Sequence, residues 1–255
     1  MSRHQLTSAI VIAVLIIIGV MSFYVQVRWW YVLIPILAWH GIAAWGSFNI
    51  SSGYHLKAVC SGTTDGGKQV AITFDDGPGE FTPMVLDVLK KYSAPATFFC
   101  IGKNIQQHPQ ILARVVAEGH LVGNHSYSHS NYFDLYRKNR VVTELRDTDA
   151  LIERATGRKN LYFRPPYGVT TPSIRQALAV TGHTVIGWSI RSLDAVIKDE
   201  QQILERIKKR LAPGGIILLH DTSLRSVHVL EQLLIFLKQN GYSVVSLEQL
   251  LRIEQ

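Results

Sequence analysis

Cysteine is scarce in this 255-residue chain: only Cys60 and Cys100 are present. That excludes a disulfide framework, and it excludes a thiolate metal site, which needs more cysteines at close spacing. Cys100 lies in an apolar run and is expected as a buried free thiol. Charge is the second scarcity, and it is unevenly distributed. Leu6 to Val27 carries no charged side chain, and Trp29 to Ile50 carries none besides His40. Each stretch is about 20 residues, enough for a hydrocarbon core of roughly 30 Å. A signal peptide is the competing reading of the first stretch, but no small-residue cleavage site follows its apolar core and a second apolar stretch begins at once. Residues 1–50 are therefore expected as an integral membrane anchor of two hydrophobic helices, about 6–27 and 29–50. The alternative is one span plus a buried or interfacial helix. Trp29, Trp30 and Tyr31 would form an aromatic belt at the lipid interface. The side on which the rest of the chain lies is not assigned, because Arg3 favours a cytoplasmic start and Arg28 opposes it. Acidic residues are also in deficit, 19 against 26 Lys and Arg. The excess is dispersed, and its densest run, Lys208-Lys209-Arg210, suits a solvated helix face or anionic lipid heads. Nucleic acid is not expected as a partner.

Residues 51–67 contain Ser-Ser-Gly, Ser-Gly and Asp-Gly-Gly and read as a linker. From 68 to 255 short β runs alternate with amphipathic helical patterns. The strands are predicted at Val70–Phe74, Ala96–Ile101, Leu121–Gly123, Leu161–Phe163, Thr184–Trp188, Gly215–Leu219 and Ser243–Ser246. Helices are predicted near 83–92, 104–118, 138–156, 172–181, 199–211 and 226–240. In the last, Val229, Leu230, Leu233, Leu234 and Leu237 form one apolar face at helical spacing, which is core. Three helix-to-strand junctions carry Gly119, Gly182 and Gly241 at the left-handed C′ position. Such alternation implies a parallel sheet, open or closed into a barrel. His120 and His183 stand at strand starts and are read as structural.

The strand ends carry the chemistry. Asp75-Asp76-Gly77-Pro78 follows the first run, and Asn124 to His129 the third. Arg164 to Gly168, Ser189 to Asp194 and His220-Asp221 follow three others. The C-terminal ends of parallel strands are the functional face of such folds. Asp-Asp-Gly-Pro alone is also an ordinary solvated turn. His125 and His129 are four apart, a spacing that on a helical turn brings both imidazoles to one cation. With Asp76 the set is two histidines and one carboxylate, which leaves positions open for water and substrate.

Thr73-Phe74-Asp75-Asp76-Gly77-Pro78, His125-Ser-Tyr-Ser-His129, Arg164-Pro-Pro-Tyr167-Gly168 and Leu218-Leu-His220-Asp221 resemble signature motifs of the polysaccharide deacetylase family, the NodB-homology group of carbohydrate esterase family 4. The resemblance covers about residues 68–250. It implies an α/β fold, a distorted (β/α) barrel of about seven strands, here preceded by the two hydrophobic helices. It implies a divalent metal ion, usually Zn²⁺, held by Asp76, His125 and His129. Asp75 would be the general base, with Arg164 paired to it. The backbone N–H of Tyr167 would help hold the oxyanion, and Leu218 would line the acetyl pocket. His220 would be the general acid, oriented by Asp194. The implied function is a membrane-anchored hydrolase removing N-acetyl groups from the amino sugars of a peptidoglycan-like or chitin-like carbohydrate, with membrane lipid as the partner of residues 1–50. Alternatives are a deacylase or deformylase of a lipid-linked sugar, and a carbohydrate-binding barrel without turnover. One motif departs. The family often has Asp-x-x-Asp-Trp where this chain reads Arg191-Ser192-Leu193-Asp194-Ala195, so the first acid is an arginine and the Trp wall is gone. Trp188 either covers part of that gap or is core, and core is the preferred reading.

Overall fold

The structure, a computed structural model, describes residues 1–252. Its centre is strand β1 (Gln69–Asp75), buried at every residue after Gln69. A continuous apolar run suits a strand covered on both faces. On one side β1 is followed by β2 (Ala96–Cys100), β3 (Leu121–Asn124), β4 (Tyr162–Phe163) and β5 (Thr184–Val185). On the other side lie β7 (Gly215–His220) and then β6 (Ile190–Arg191). β8 (Ser243–Val244) pairs with the first residues of β1. Every pairing is parallel.

The sheet curls into the distorted barrel that was expected, and residues from 51–67 take part in its wall. Val59 pairs beside Ile186, and Ser61 pairs antiparallel to Gly215. The Val59 N–H donates to Val185 O at 2.8 Å. Ile50 is buried with Phe133, Phe163 and Val185. A stretch rich in Ser and Gly is hydrogen-bonded here because its few apolar residues, Leu56 and Val59 among them, pack against the barrel core.

Helices cover the sheet: α3 (Thr82–Lys91), α4 (Gly102–Gln107), α5 (Pro109–Ala117), α6 (Lys138–Thr156), α7 (Pro172–Thr181), α8 (Glu200–Lys208), α9 (Leu224–Gln239) and α10 (Leu247–Leu251). The single helix predicted over 104–118 is two. Pro109 has no N–H to continue a helix but suits the first position of the next one, so the chain breaks at His108. β6 and α10 are too short to carry a readable period. The apolar stripe of α9 is buried as predicted, in the same core cluster as Phe74 and Phe98, whose rings stack at 5.1 Å. Gly119, Gly182 and Gly241 take φ of +80°, +80° and +71°. His120 Nδ1 accepts the Ala96 N–H at 3.3 Å, and His183 Nε2 lies 3.1 Å from Asp149 Oδ1; both stay away from the strand C-terminal ends.

Two further helices precede the barrel, α1 (Arg3–Met21) and α2 (Trp30–Phe48). They pack on each other, and by length and composition each can cross a membrane. Their root is tied to the barrel by polar contacts. Arg3 Nη1 donates to Ser52 O at 2.7 Å, Thr7 Oγ1 and Tyr54 Oη share a hydrogen bond of 2.6 Å, and Thr170 N–H donates to Ser47 O at 3.0 Å. The Tyr54 ring packs where a Cβ on Gly46 would stand, so this close approach needs glycine.

Candidate active site

Adjacent residues on a strand point to opposite faces. Asp75 obeys this as the last residue of β1. Asp76 leaves the strand with φ +76°, and that left-handed step lets both carboxylates line one cleft. Asp75 Oδ1 accepts from Arg164 Nη1 at 2.7 Å. Arg164 is fully buried. Its remaining donors meet Thr73 Oγ1 at 2.8 Å, Ile186 O at 3.1 Å and Gly187 O at 2.8 Å. The guanidinium lies 4.1 Å from the Phe99 ring centroid. A buried cation with all three nitrogens hydrogen-bonded is a fixed clamp on Asp75.

The two histidines converge, but not on the helical turn that their spacing suggested. Residues 125–130 form an irregular loop, with φ of +65° at Ser126 and +45° at His129. The buried carboxylate of Glu144 on α6 holds that loop. It accepts the N–H groups of Tyr127 at 3.1 Å and Ser128 at 2.7 Å, and the Ser128 hydroxyl at 2.8 Å. Asn124 Oδ1 accepts the Ser126 N–H at 2.8 Å. Sequence reading missed Glu144, since an acid within an amphipathic helix reads as solvated. Its only signal was a position among the apolar residues Val141 and Leu145.

The donor set fits a divalent cation. Asp76 Oδ1 lies 3.5 Å from His125 Nε2 and 3.3 Å from His129 Nε2. That oxygen is buried and has no hydrogen-bond partner. His125 Nδ1 donates to Arg164 O at 2.7 Å, which leaves the Nε2 lone pair facing Asp76. Burial, then the neighbouring His125, push the His129 pKa down to about 4, so this imidazole is neutral near pH 7. Two imidazoles and one carboxylate are an open-site zinc donor set.

The third unit is His220 on Asp194. His220 Nδ1 and Asp194 Oδ1 are 2.8 Å apart, and Asp194 Oδ2 accepts the His220 N–H at 2.8 Å. Ser192 and Ser226 donate to the two oxygens at 2.7 and 2.9 Å. Burial alone would lower the His220 pKa; Asp194, then Asp75 and Asp76, outweigh it and raise the value to about 9. The imidazolium is therefore the resting form. Asp221, next along, is buried against Thr82, whose hydroxyl donates to it at 2.5 Å, and burial pushes its pKa up to about 7.

These groups surround a cavity of about 260 Å³ at the C-terminal ends of the strands. Asp75, Asp76, His125, His129, Tyr167, Leu218 and His220 line it; Arg164 and Asp194 are buried behind Asp75 and His220. Tyr167 has φ +60°, and its turn uses the N–H groups of Gly168 and Val169 for hydrogen bonds to Pro165 O and Pro166 O. With Leu193 at φ +63°, strained non-glycine backbone gathers around this one cavity, as it does at functional sites. Trp188, read from the sequence as core, also lines the cleft. Its ring packs edge-on where a Cβ on Gly168 would stand, so it supplies apolar wall beside Ala195. A larger hollow of about 340 Å³ lies at the other end of the strands against His120 and Tyr162.

The Polysaccharide deacetylase family profile matches residues 62–186. A peptidoglycan-N-acetylglucosamine deacetylase of Bacillus cereus is 36% identical over 69% of this chain and 67% of its own length. The peptidoglycan-N-acetylmuramic acid deacetylase PdaA of Bacillus subtilis is 34% identical over 72% of both chains. Among solved structures, the Bc1960 peptidoglycan N-acetylglucosamine deacetylase superimposes with a TM-score of 0.72 at 31% identity, covering 77% of this chain and 94% of that one.

Proposed function

Because this chain belongs to the polysaccharide deacetylase family, we propose that it is a membrane-anchored, metal-dependent hydrolase that removes N-acetyl groups from amino sugars of peptidoglycan. The observation that carries the reading is the meeting of three units in one cleft: the Asp76–His125–His129 donor set, the Arg164-clamped Asp75, and the Asp194-held His220. Asp76, His125 and His129 would hold a divalent cation, which would supply Lewis acidity to the amide carbonyl and to the attacking water. The protein does the rest. Asp75, with one oxygen held by Arg164, presents the other to the attacking water and takes its proton. The Tyr167 N–H faces the oxygen that gains negative charge as the carbonyl becomes tetrahedral. His220 gives its proton to the departing nitrogen, and Asp194 stabilises the imidazolium until then. Leu218 and Trp188 provide the apolar surface for the acetyl methyl and the sugar.

A second reading is deacylation of a lipid-linked sugar. It is supported by the hydrogen bond from Thr170 to Ser47 at the root of the helix pair, three residues from Tyr167. Acetate release by the full chain from peptidoglycan, N-acetylglucosamine oligomers and lipid-linked sugars separates the readings. Release from peptidoglycan fits the first, and release only from the lipid-linked sugar fits the second. Binding without release from any of them means a silent barrel.

A further inference from the structure

Among the described residues Arg191 has an aromatic neighbour but no carboxylate partner. It lines the catalytic cavity with Trp188 and Ala195, and its guanidinium lies 5.5 Å from the Trp188 ring centroid. It makes no ion pair among the described residues. The carboxylates nearby are committed: Asp75 to Arg164, Asp194 to His220 and two serines, Asp76 to the histidine pair. Its position is fixed by the sheet. Arg191 pairs in register with Leu218, two residues before His220. Its carbonyl is held by Arg206 Nε at 2.9 Å. Burial, then the Arg210 and Arg191 cations, lower the Arg206 pKa, so the three guanidinium groups share one positive field along this wall. The cation stands on an aromatic face, where it is less hydrated and pre-ordered for a planar anion. Ala195 lines the same cavity and is too small to form an apolar wall there.

We propose that Arg191 recognises a carboxylate on the substrate, so that the cleft selects an N-acetylated glycan carrying an acid group on or next to the reacting sugar over a neutral one. An arginine fork matches a carboxylate in two parallel hydrogen bonds, and a lysine or an amide does not. A neutral oligomer of N-acetylglucosamine would leave the guanidinium with water only. This inference rests on the deacetylase reading and deepens it by naming the substrate class.

The test compares three glycans on the full chain in detergent: a neutral N-acetylglucosamine oligomer, a glycan containing N-acetylmuramic acid with its carboxylate free, and the same glycan with that carboxylate converted to a methylamide. Amidation is expected to lower kcat/KM about tenfold, through KM. Arg191→Gln should bring the ratio of acid to amide to about one, and Arg191→Lys should keep part of it. A parent enzyme indifferent to amidation overturns the inference, as does an Arg191→Gln variant that lowers all three glycans by one common factor. If the parent releases acetate from none of them, the deacetylase reading fails on its own. The same comparison by calorimetric binding then decides: a tenfold preference for the free acid upholds the role of Arg191, and equal binding overturns it.

Discussion

Asp76 is where two adjacent carboxylates stop competing. Its φ of +76° turns it out of the strand direction, so Arg164 governs one acid and the histidine pair the other. The Asp-Asp-Gly-Pro run marked the turn, but no local rule reported the left-handed backbone at a non-glycine residue. His220 gives the residue scale its sharpest prediction. With a pKa of about 9, it is protonated at neutral pH and loses its proton as pH rises. Activity should fall on the alkaline side through that value, and His220→Ala, much slower at all pH values, should lack that limb. The same shift bears on stability. The folded value lies above the unfolded value of about 6.5, so the stabilisation is complete below about pH 6.5 and is lost as pH rises through about 9. Denaturant midpoints measured across that window should decline in the parent and decline less in His220→Ala. From the sequence Trp188 reads as core in preference to cleft wall, and it packs against the core while also lining the cleft. An aromatic at a strand end is equally legible as core or as cleft wall, and it serves as both here.

At the scale of elements, the sheet and most helices were legible because each buried element carries its own apolar period. The predicted 138–156 and 172–181 coincide with α6 and α7. Two-residue strands such as β6 carry no period, and the loop bearing His125 and His129 follows none. Its shape is imposed from outside by Glu144. Glu144→Ala removes a buried acceptor and leaves the Tyr127 and Ser128 N–H groups without it, at a cost of about 1–3 kcal/mol in stability. It should also weaken metal binding by roughly 10- to 100-fold, as loss of a supporting contact does at metal sites. Metal titration of the folded variant checks this; an unchanged affinity would mean the loop holds its histidines without α6.

At the scale of the whole molecule, the helix pair and the barrel meet through a polar root that continues into the barrel wall. The boundary between anchor and barrel was expected after 50, with a linker to 67. The burial of Ile50 and the pairing of Val59 instead tie this stretch to the barrel. A chain starting at Asn49 should therefore leave carbonate-washed membranes as a folded soluble barrel, whereas the full chain stays. A chain starting at Ser61 should be less stable, since loss of the Ile50 side chain alone is worth about 2–5 kcal/mol. A full chain found in the soluble fraction would contradict the anchor. The account as a whole depends on a base that is not a metal ligand acting beside one that is. The most direct measurement is acetate release from peptidoglycan by the full chain and by Asp75→Asn, with metal content determined on the same samples. The account predicts one equivalent of metal in both and a rate lower by about 10²–10⁴-fold in the variant. It is contradicted if Asp75→Asn loses the metal, or if the variant keeps its metal and turns over at the parent rate.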